Sequence, residues 1–288
     1  MRFEAKIVAV TLMGPIVLTS ILVAFALVAC TAPTDAGDSL FAAEAESRFA
    51  LPDALREISG LAVSPDGRVF AHDDEQATIY EIDVARGAVL KSFSIGDPAE
   101  AGDFEGLTIT PNGDFWLTDS RGRLLRFREG GDRTTVDAER FDTGAGEACE
   151  VEGIAYLPTD QSLVLACKRM RGRGQRTNVP QLRVWSVGAH ETRAWGPITA
   201  DIADAAGVRD FQPSDLEFDP ATGRLIVISA ADGAMAEFGP GGALVSARAL
   251  GHDHRQAEGV AVLPDGSLII ADEGGNGRAH ISRYLRRP

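Results

Sequence analysis

The sequence predicts an all-β fold, a β-propeller of four-stranded blades, and three observations carry that prediction. One pattern of strand, turn and strand recurs along the chain. Its copies are spaced as propeller blades are. Beyond residue 47 no stretch of useful length keeps helical periodicity, apart from a short turn around residues 202–206.

The five copies open EISGLAV from Glu57, DFEGLTI from Asp103, EVEGIAY from Glu150, QPSDLEF from Gln212 and QAEGVAV from Gln256. Anchored on Gly60, Gly106, Gly153, Asp215 and Gly259, they lie 46, 47, 62 and 44 residues apart. Each alternates apolar residues, turns, as at Pro65-Asp66-Gly67 and Pro111-Asn112-Gly113, and then runs apolar again. Proline presets φ at the first corner of such a turn, and glycine accepts the positive φ that closes it. Third strands read at residues 78–82, 123–127, 182–185 and 281–284, and fourth strands at 89–93 and 244–250. Five blades are expected; a sixth, degenerate blade inside the long third interval is the alternative. A ring of blades must join its ends, and residues 48–51 precede the first inner strand, where they can supply the outer strand of the last blade.

Ahead of the repeats, Arg2 and Lys6 precede an apolar run from Ile7 to Val28 that ends Leu27-Val28-Ala29-Cys30. This ending resembles a bacterial lipobox. The resemblance implies that residues 1–29 are a signal peptide, removed before Cys30, and that the Cys30 thiol carries lipid that holds the chain to a membrane. A transmembrane anchor is the alternative, because the run is long enough to span a bilayer. Residues 30–47, small, polar and acidic, are expected to form a flexible tether, with the propeller domain over 48–288. Either way the domain is expected in the cell envelope, facing the periplasm or the exterior. Without residues 1–29, which hold Arg2, Lys6 and Glu4, the chain has 26 basic and 41 acidic residues, a formal charge of −15. That surface disfavours nucleic acid and suits a divalent cation or a basic partner.

In a propeller blade the innermost strand runs down the central channel. Loops entering it share one face, here called the top, with loops joining the second and third strands. Inner strands begin with Glu57 and Ser59, Asp103 and Glu105, Glu150 and Glu152, Gln212 and Ser214, and Gln256 and Glu258. Members of each pair are two apart and share one side of the strand. Second strands end on the same face with Asp73, Asp119 and Asp272, followed by Asp74, Ser120 and Glu273. Cys167-Lys168 and Ser229-Ala230 take these places in the other two blades.

Carboxylates gathered at one mouth repel unless a cation or hydrogen bonds neutralise them. Glu105, Glu152, Glu258, Asp73, Asp119 and Asp272 are therefore candidate ligands of a hard divalent ion, Ca2+ by its preference for several oxygens. Hydrogen bonding to backbone amides and water is the alternative. Lys168, Arg169 and Arg171 open a basic run through Arg176 that is expected to overhang the mouth, either to contact a phosphate or carboxylate or as a solvated charged loop. His252 and His254 flank Asp253 and read as exposed loop histidines, with a transition-metal pair as the alternative. Cys149 precedes the third inner strand and Cys167 ends its hairpin partner, so antiparallel pairing sets them nearly opposite and a disulfide is expected.

The five headings span nearly the whole processed chain. With the stretch HDHRQAEGVAVLPDG around the last, they resemble the SdiA-regulated or YjiK/CarP family of bacterial extracytoplasmic β-propellers. The resemblance implies a propeller, membrane association and, through CarP-like members, a connection to calcium. It implies no catalytic mechanism. More distantly, the acids are similar to those of phytase-like propellers, where top-channel carboxylates bind calcium that holds phosphate; Ser59 and Ser214 break that ring here. No Gly-x-Ser-x-Gly elbow, His-Glu-x-x-His pair or phosphate-cradling glycine loop occurs. The expected function is that of a calcium-binding or calcium-responsive envelope lipoprotein that recognises an unknown ligand or protein through its top face. A metal-dependent phosphoesterase or lactonase is the rival.

Overall fold

Alternating apolar residues punctuated by proline-led turns form five sheets, each a four-stranded antiparallel blade, to the first of which the two-residue strand Thr135–Val136 adds in parallel. The computed structural model of the protein describes residues 39–170, 181–195, 201–231 and 233–288. Residues 1–29, Cys30, Arg171 and the basic run through Arg176 lie outside the described residues. Among those described, no helix is long and apolar enough to cross a membrane.

The inner strands are Ile58–Val63, Phe104–Ile109, Cys149–Leu157, Asp215–Asp219 and Ala257–Val262. The turn chemistry is as expected, with φ of +85° at Gly67 and +82° at Gly113. Ser47–Ala50 pairs antiparallel with His280–Tyr284 and supplies the outer strand of the fifth blade, so strands from both ends of the fold close the ring.

Sheets facing one another bury one apolar cluster per interface. Phe70 and Phe93 of the first blade meet Phe115 and Phe127 of the second; Leu163 and Trp185 of the third meet Trp116 of the second. Val164 and Val184 pack on Val227 and Phe238, Ile226 and Ile228 on Val260 and Ile270, and Ala261 and Ile269 on Leu61 and Val69. These five clusters join neighbouring blades around the circle, and five is the blade number. The long third interval holds no sixth blade among the described residues. It carries the helix Ile202–Ala206, whose Ile202 and Ala203 fill the seam between the third and fourth blades.

Docked residues begin ahead of the boundary expected at residue 48. Ser39 to Glu46, expected in the tether, are docked: Phe41 is fully buried and bridges Arg286, and Ser39 Oγ and the Leu40 amide donate to the buried Glu237 carboxylate at 2.6 and 3.0 Å. A single aromatic in an acidic stretch gives no periodicity to read, yet its burial and the bonds to Glu237 together dock the segment. Two further strands lack a clear sequence signal. Glu139–Asp142 (ERFD) is a polar edge strand of the second blade, and Ala234–Phe238 (AMAEF) is too rich in alanine to show alternation.

Cys149 and Cys167 form a disulfide with Cα atoms 5.5 Å apart. The two are diagonal rather than opposite: Cys149 pairs with Met170 and Cys167 with Val151, across two register shifts.

Candidate functional site

The anchor positions pack against one another around the channel. A Cβ built on Gly106 would lie 2.8 Å from Gly153 Cα, and one on Gly153 would lie 2.8 Å from Asp215 Cα. Only glycine lets the inner strands approach so closely. In four blades the residue before this anchor is a β-bulge. The ladder slips between Ile58 and Gly60, Phe104 and Gly106, Val151 and Gly153, and Ala257 and Gly259, leaving Ser59, Glu105, Glu152 and Glu258 as the inserted residues. A bulge re-aims its side chain. Here three of the four are glutamates at the top of the channel.

Glu105, Glu152 and Glu258 are brought together, and Lys168 stands among them. Its Nζ donates to Glu152 Oε2 at 2.6 Å, and Glu258 and Glu105 also act on its charge. Burial works against this ammonium, but the three carboxylates hold it above its ordinary range. Burial raises Glu105 to about 9, with the charges of Glu152 and Asp103 adding to it. Glu152 and Glu258 are raised by burial to about 7, each opposed by Lys168. One ammonium thus serves three carboxyls and leaves them under-neutralised. At their edge, burial and a hydrogen bond with Glu57 lift Glu273 to about 8.

The expected metal set divides. Asp73 and Asp119 turn to other partners, and Asp272, whose charge still acts on Glu258, lies against an imidazole. Asp119 Oδ1 accepts from the amides of Arg121 and Arg123, and its Oδ2 from Arg123 Nε at 2.6 Å; Asp73 Oδ1 accepts from the amides of Glu75 and Gln76. A strand that ends in a tight turn leaves amides to satisfy, and an aspartate at its end does so. Asp272 Oδ2 lies 2.7 Å from His254 Nδ1, and His254 Nε2 bonds the Tyr284 hydroxyl. His254 is therefore buried, against the expectation of an exposed loop residue, while His252 is exposed as expected. Among the described residues no three His, Cys, Asp or Glu side chains are grouped to hold a metal ion. Calcium asks for six to eight oxygens, and the donors as arranged do not fit it while Lys168 occupies their midst.

Lys168 is the residue expected to contact a phosphate or carboxylate. It lies in the second strand of its blade, pointing its charge at glutamates. Arg169 belongs to the same strand, and Arg171 lies outside the described residues.

Asp215, the anchor of the fourth blade, is also a buried acid. It fills the anchor column that is glycine in every other blade, is 1% exposed, and reaches the Val260 amide at 2.8 Å; burial raises its pKa well above the carboxylate range. One aspartate in a column of glycines is the signal that marks it.

These shifts set a pH dependence. A carboxyl whose folded pKa exceeds its unfolded one takes up a proton on folding. Its stabilising contribution is complete below about 4.5 and is lost as pH rises through 7 to 9. His72, buried and lowered to about 4, acts oppositely below pH 6.5, so the window above pH 7 isolates the acids. The melting temperature is expected to fall from pH 7 to pH 9. At pH 9, Glu105→Gln should recover about 1–2 kcal/mol, roughly 3–6 °C. Calorimetry giving a flat profile for the parent chain would refute this reading of the cluster.

Residues 41–276 match the SdiA-regulated protein family. The chain belongs to the SdiA-regulated family. Solved structures similar to this family member include glutaminyl cyclase from Myxococcus xanthus, 14% identical at a TM-score of 0.55 over 84% of this chain and 95% of that one. The PQQ-bound aldose sugar dehydrogenase from Streptomyces coelicolor is also 14% identical, with a TM-score of 0.50 over 86% of this chain and 100% of that one. A luciferin-regenerating enzyme is 10% identical, with a TM-score of 0.50 over 80% and 91%. The shared feature is the propeller, and a fold carrying such different chemistries does not bring one with it.

Proposed function

We propose that this SdiA-regulated propeller is held to a bacterial membrane by lipid on Cys30, faces away from the cytoplasm, and uses the top mouth to bind a cationic group without chemical turnover. The observation that carries this is the cluster of Glu105, Glu152 and Glu258 around a single ammonium. The cluster has unmet demand for positive charge, and Lys168 is an internal competitor for it. A basic side chain of a partner satisfies that demand with little rearrangement. Ca2+ satisfies it only when Lys168 withdraws, which makes a calcium response conditional on that side chain.

Isothermal titration of the full chain with CaCl2 and, separately, with a tetralysine peptide tests the proposal. At least one is expected to bind with a sub-millimolar dissociation constant. Binding should weaken tenfold or more in Glu152→Gln, and Lys168→Gln should tighten Ca2+. If neither cation binds either the parent chain or Lys168→Gln, the top mouth is not a cation site.

A further inference from the structure

The other end of the channel has a different chemistry. The prolines that preset the turn after each inner strand, Pro65, Pro111, Pro158, Pro220 and Pro264, all line one cavity of about 350 Å3. That volume suits a small organic molecule, and such sites combine an apolar wall with a few placed polar groups. Two residues beyond the anchors the inner strands carry Ala62, Thr108, Ala155, Glu217 and Ala261. Four of these are small and buried, and only the fourth blade projects a carboxyl.

Glu217 stands in the cavity wall, its Oε1 accepting from the Phe218 amide at 2.9 Å. Among the described residues Arg286 is the one basic residue lining the cavity, and it is committed elsewhere, to Asp219 Oδ1 at 2.9 Å and to the Gly266 carbonyl at 3.0 Å. Burial lifts the Glu217 carboxyl to about 8, with the charge of Asp219 adding to it. The other blades put alanine or threonine at this place, so a glutamate is not required to build the strand. A carboxyl kept in an apolar funnel without a basic partner is the kind of group that marks a binding site.

We propose that the bottom mouth binds a small organic ammonium, its apolar body against the ring of prolines and its charge on Glu217. This site is separate from the top mouth and does not depend on it. An ammonium supplies the opposite charge that Glu217 lacks, since Arg286 is spent on Asp219, whereas a carboxylate ligand would meet the Glu217 carboxyl.

The test is isothermal titration of the full chain with benzylamine and with benzyl alcohol, its neutral counterpart. Benzylamine is expected to bind at least tenfold more tightly than the alcohol. Its heat of binding at pH 7 should vary with the ionisation enthalpy of the buffer, because Glu217 gives up a proton as the ammonium enters. Glu217→Gln should remove at least tenfold of the amine's affinity and leave the alcohol's unchanged. Ala221→Trp, which narrows the rim of the cavity, should weaken both and keeps the proposal testable if the first variant does not fold. Equal affinity for amine and alcohol, or amine binding unaltered by both substitutions, would overturn it.

Discussion

Replacing Gly153 with alanine is expected to destabilise the propeller by about 3 kcal/mol, lowering the melting temperature by roughly 6–12 °C. The added Cβ would stand 2.8 Å from Asp215 Cα, 2.8 Å from Asp215 Oδ1 and 3.0 Å from Leu216 Cδ2. The first of these is backbone in the neighbouring inner strand and cannot swing aside. The third and fourth blades must part at the channel, in a ring whose closure at every other seam depends on its circumference. Gly188→Ala is the control: that glycine is exposed, with nothing within 4 Å of a built Cβ, and its change is expected to stay within about 0.5 kcal/mol. A Gly153→Ala melting temperature within about 2 °C of the parent would show that the strands have slack there.

Removing Arg224 is expected to cost about 3 kcal/mol and to release the first docked segment. Glu237 is fully buried, and its carboxylate is held by Arg224 Nη1 at 2.8 Å, Ser39 Oγ at 2.6 Å and the Leu40 amide at 3.0 Å. Arg224→Ala leaves a buried charge with only neutral donors, and an uncompensated buried charge is far more costly than an absent pair. Hydrogen exchange of the amides at Leu40 and Ala42, the latter bonded to the Leu285 carbonyl at 2.9 Å, should accelerate in step with the lost stability. The double variant Arg224→Met with Glu237→Gln should regain more than half of the loss. Exchange at Ala42 that stays as slow as in the parent chain would mean that Phe41 alone anchors the segment.

Both predictions concern features that differ in how far the sequence reveals them. The column holding Gly60, Gly106, Gly153 and Gly259 is visible as a repeat, although its reason, backbone against backbone at the channel, is not. Glu237 looks like any polar residue in a strand of alanines. Its partners, Ser39 and Leu40, are 198 and 197 residues away, and nothing local announces them.

The candidate site shows the same division. Glu105, Glu152 and Glu258 are legible as mouth residues because they fall at one register position of a repeated strand. Asp73, Asp119 and Asp272 share a register position too, but each is diverted by a nearby partner: open turn amides for Asp73 and Asp119, and an imidazole from a separate loop for Asp272. Along the chain Lys168 belongs with the basic run after it, whereas in space it belongs to the acids. Glu217 is an ordinary strand residue by sequence and gains its character only because the five turns share one cavity.

The sequence alone determined most of the strands, the turns, the blade period and the ring closure, and it placed both cysteines in one hairpin. All of these stem from period-2 alternation and turn chemistry, which act over a few residues and repeat. The tertiary structure decided which charges meet. Lys168 among three glutamates, Arg224 with Glu237 and Glu217 in its apolar mouth depend on distances across strands and blades and on bulges that re-aim side chains. Electrostatic energy is set by those distances and by burial, and neither is written in the spacing of residues along the chain.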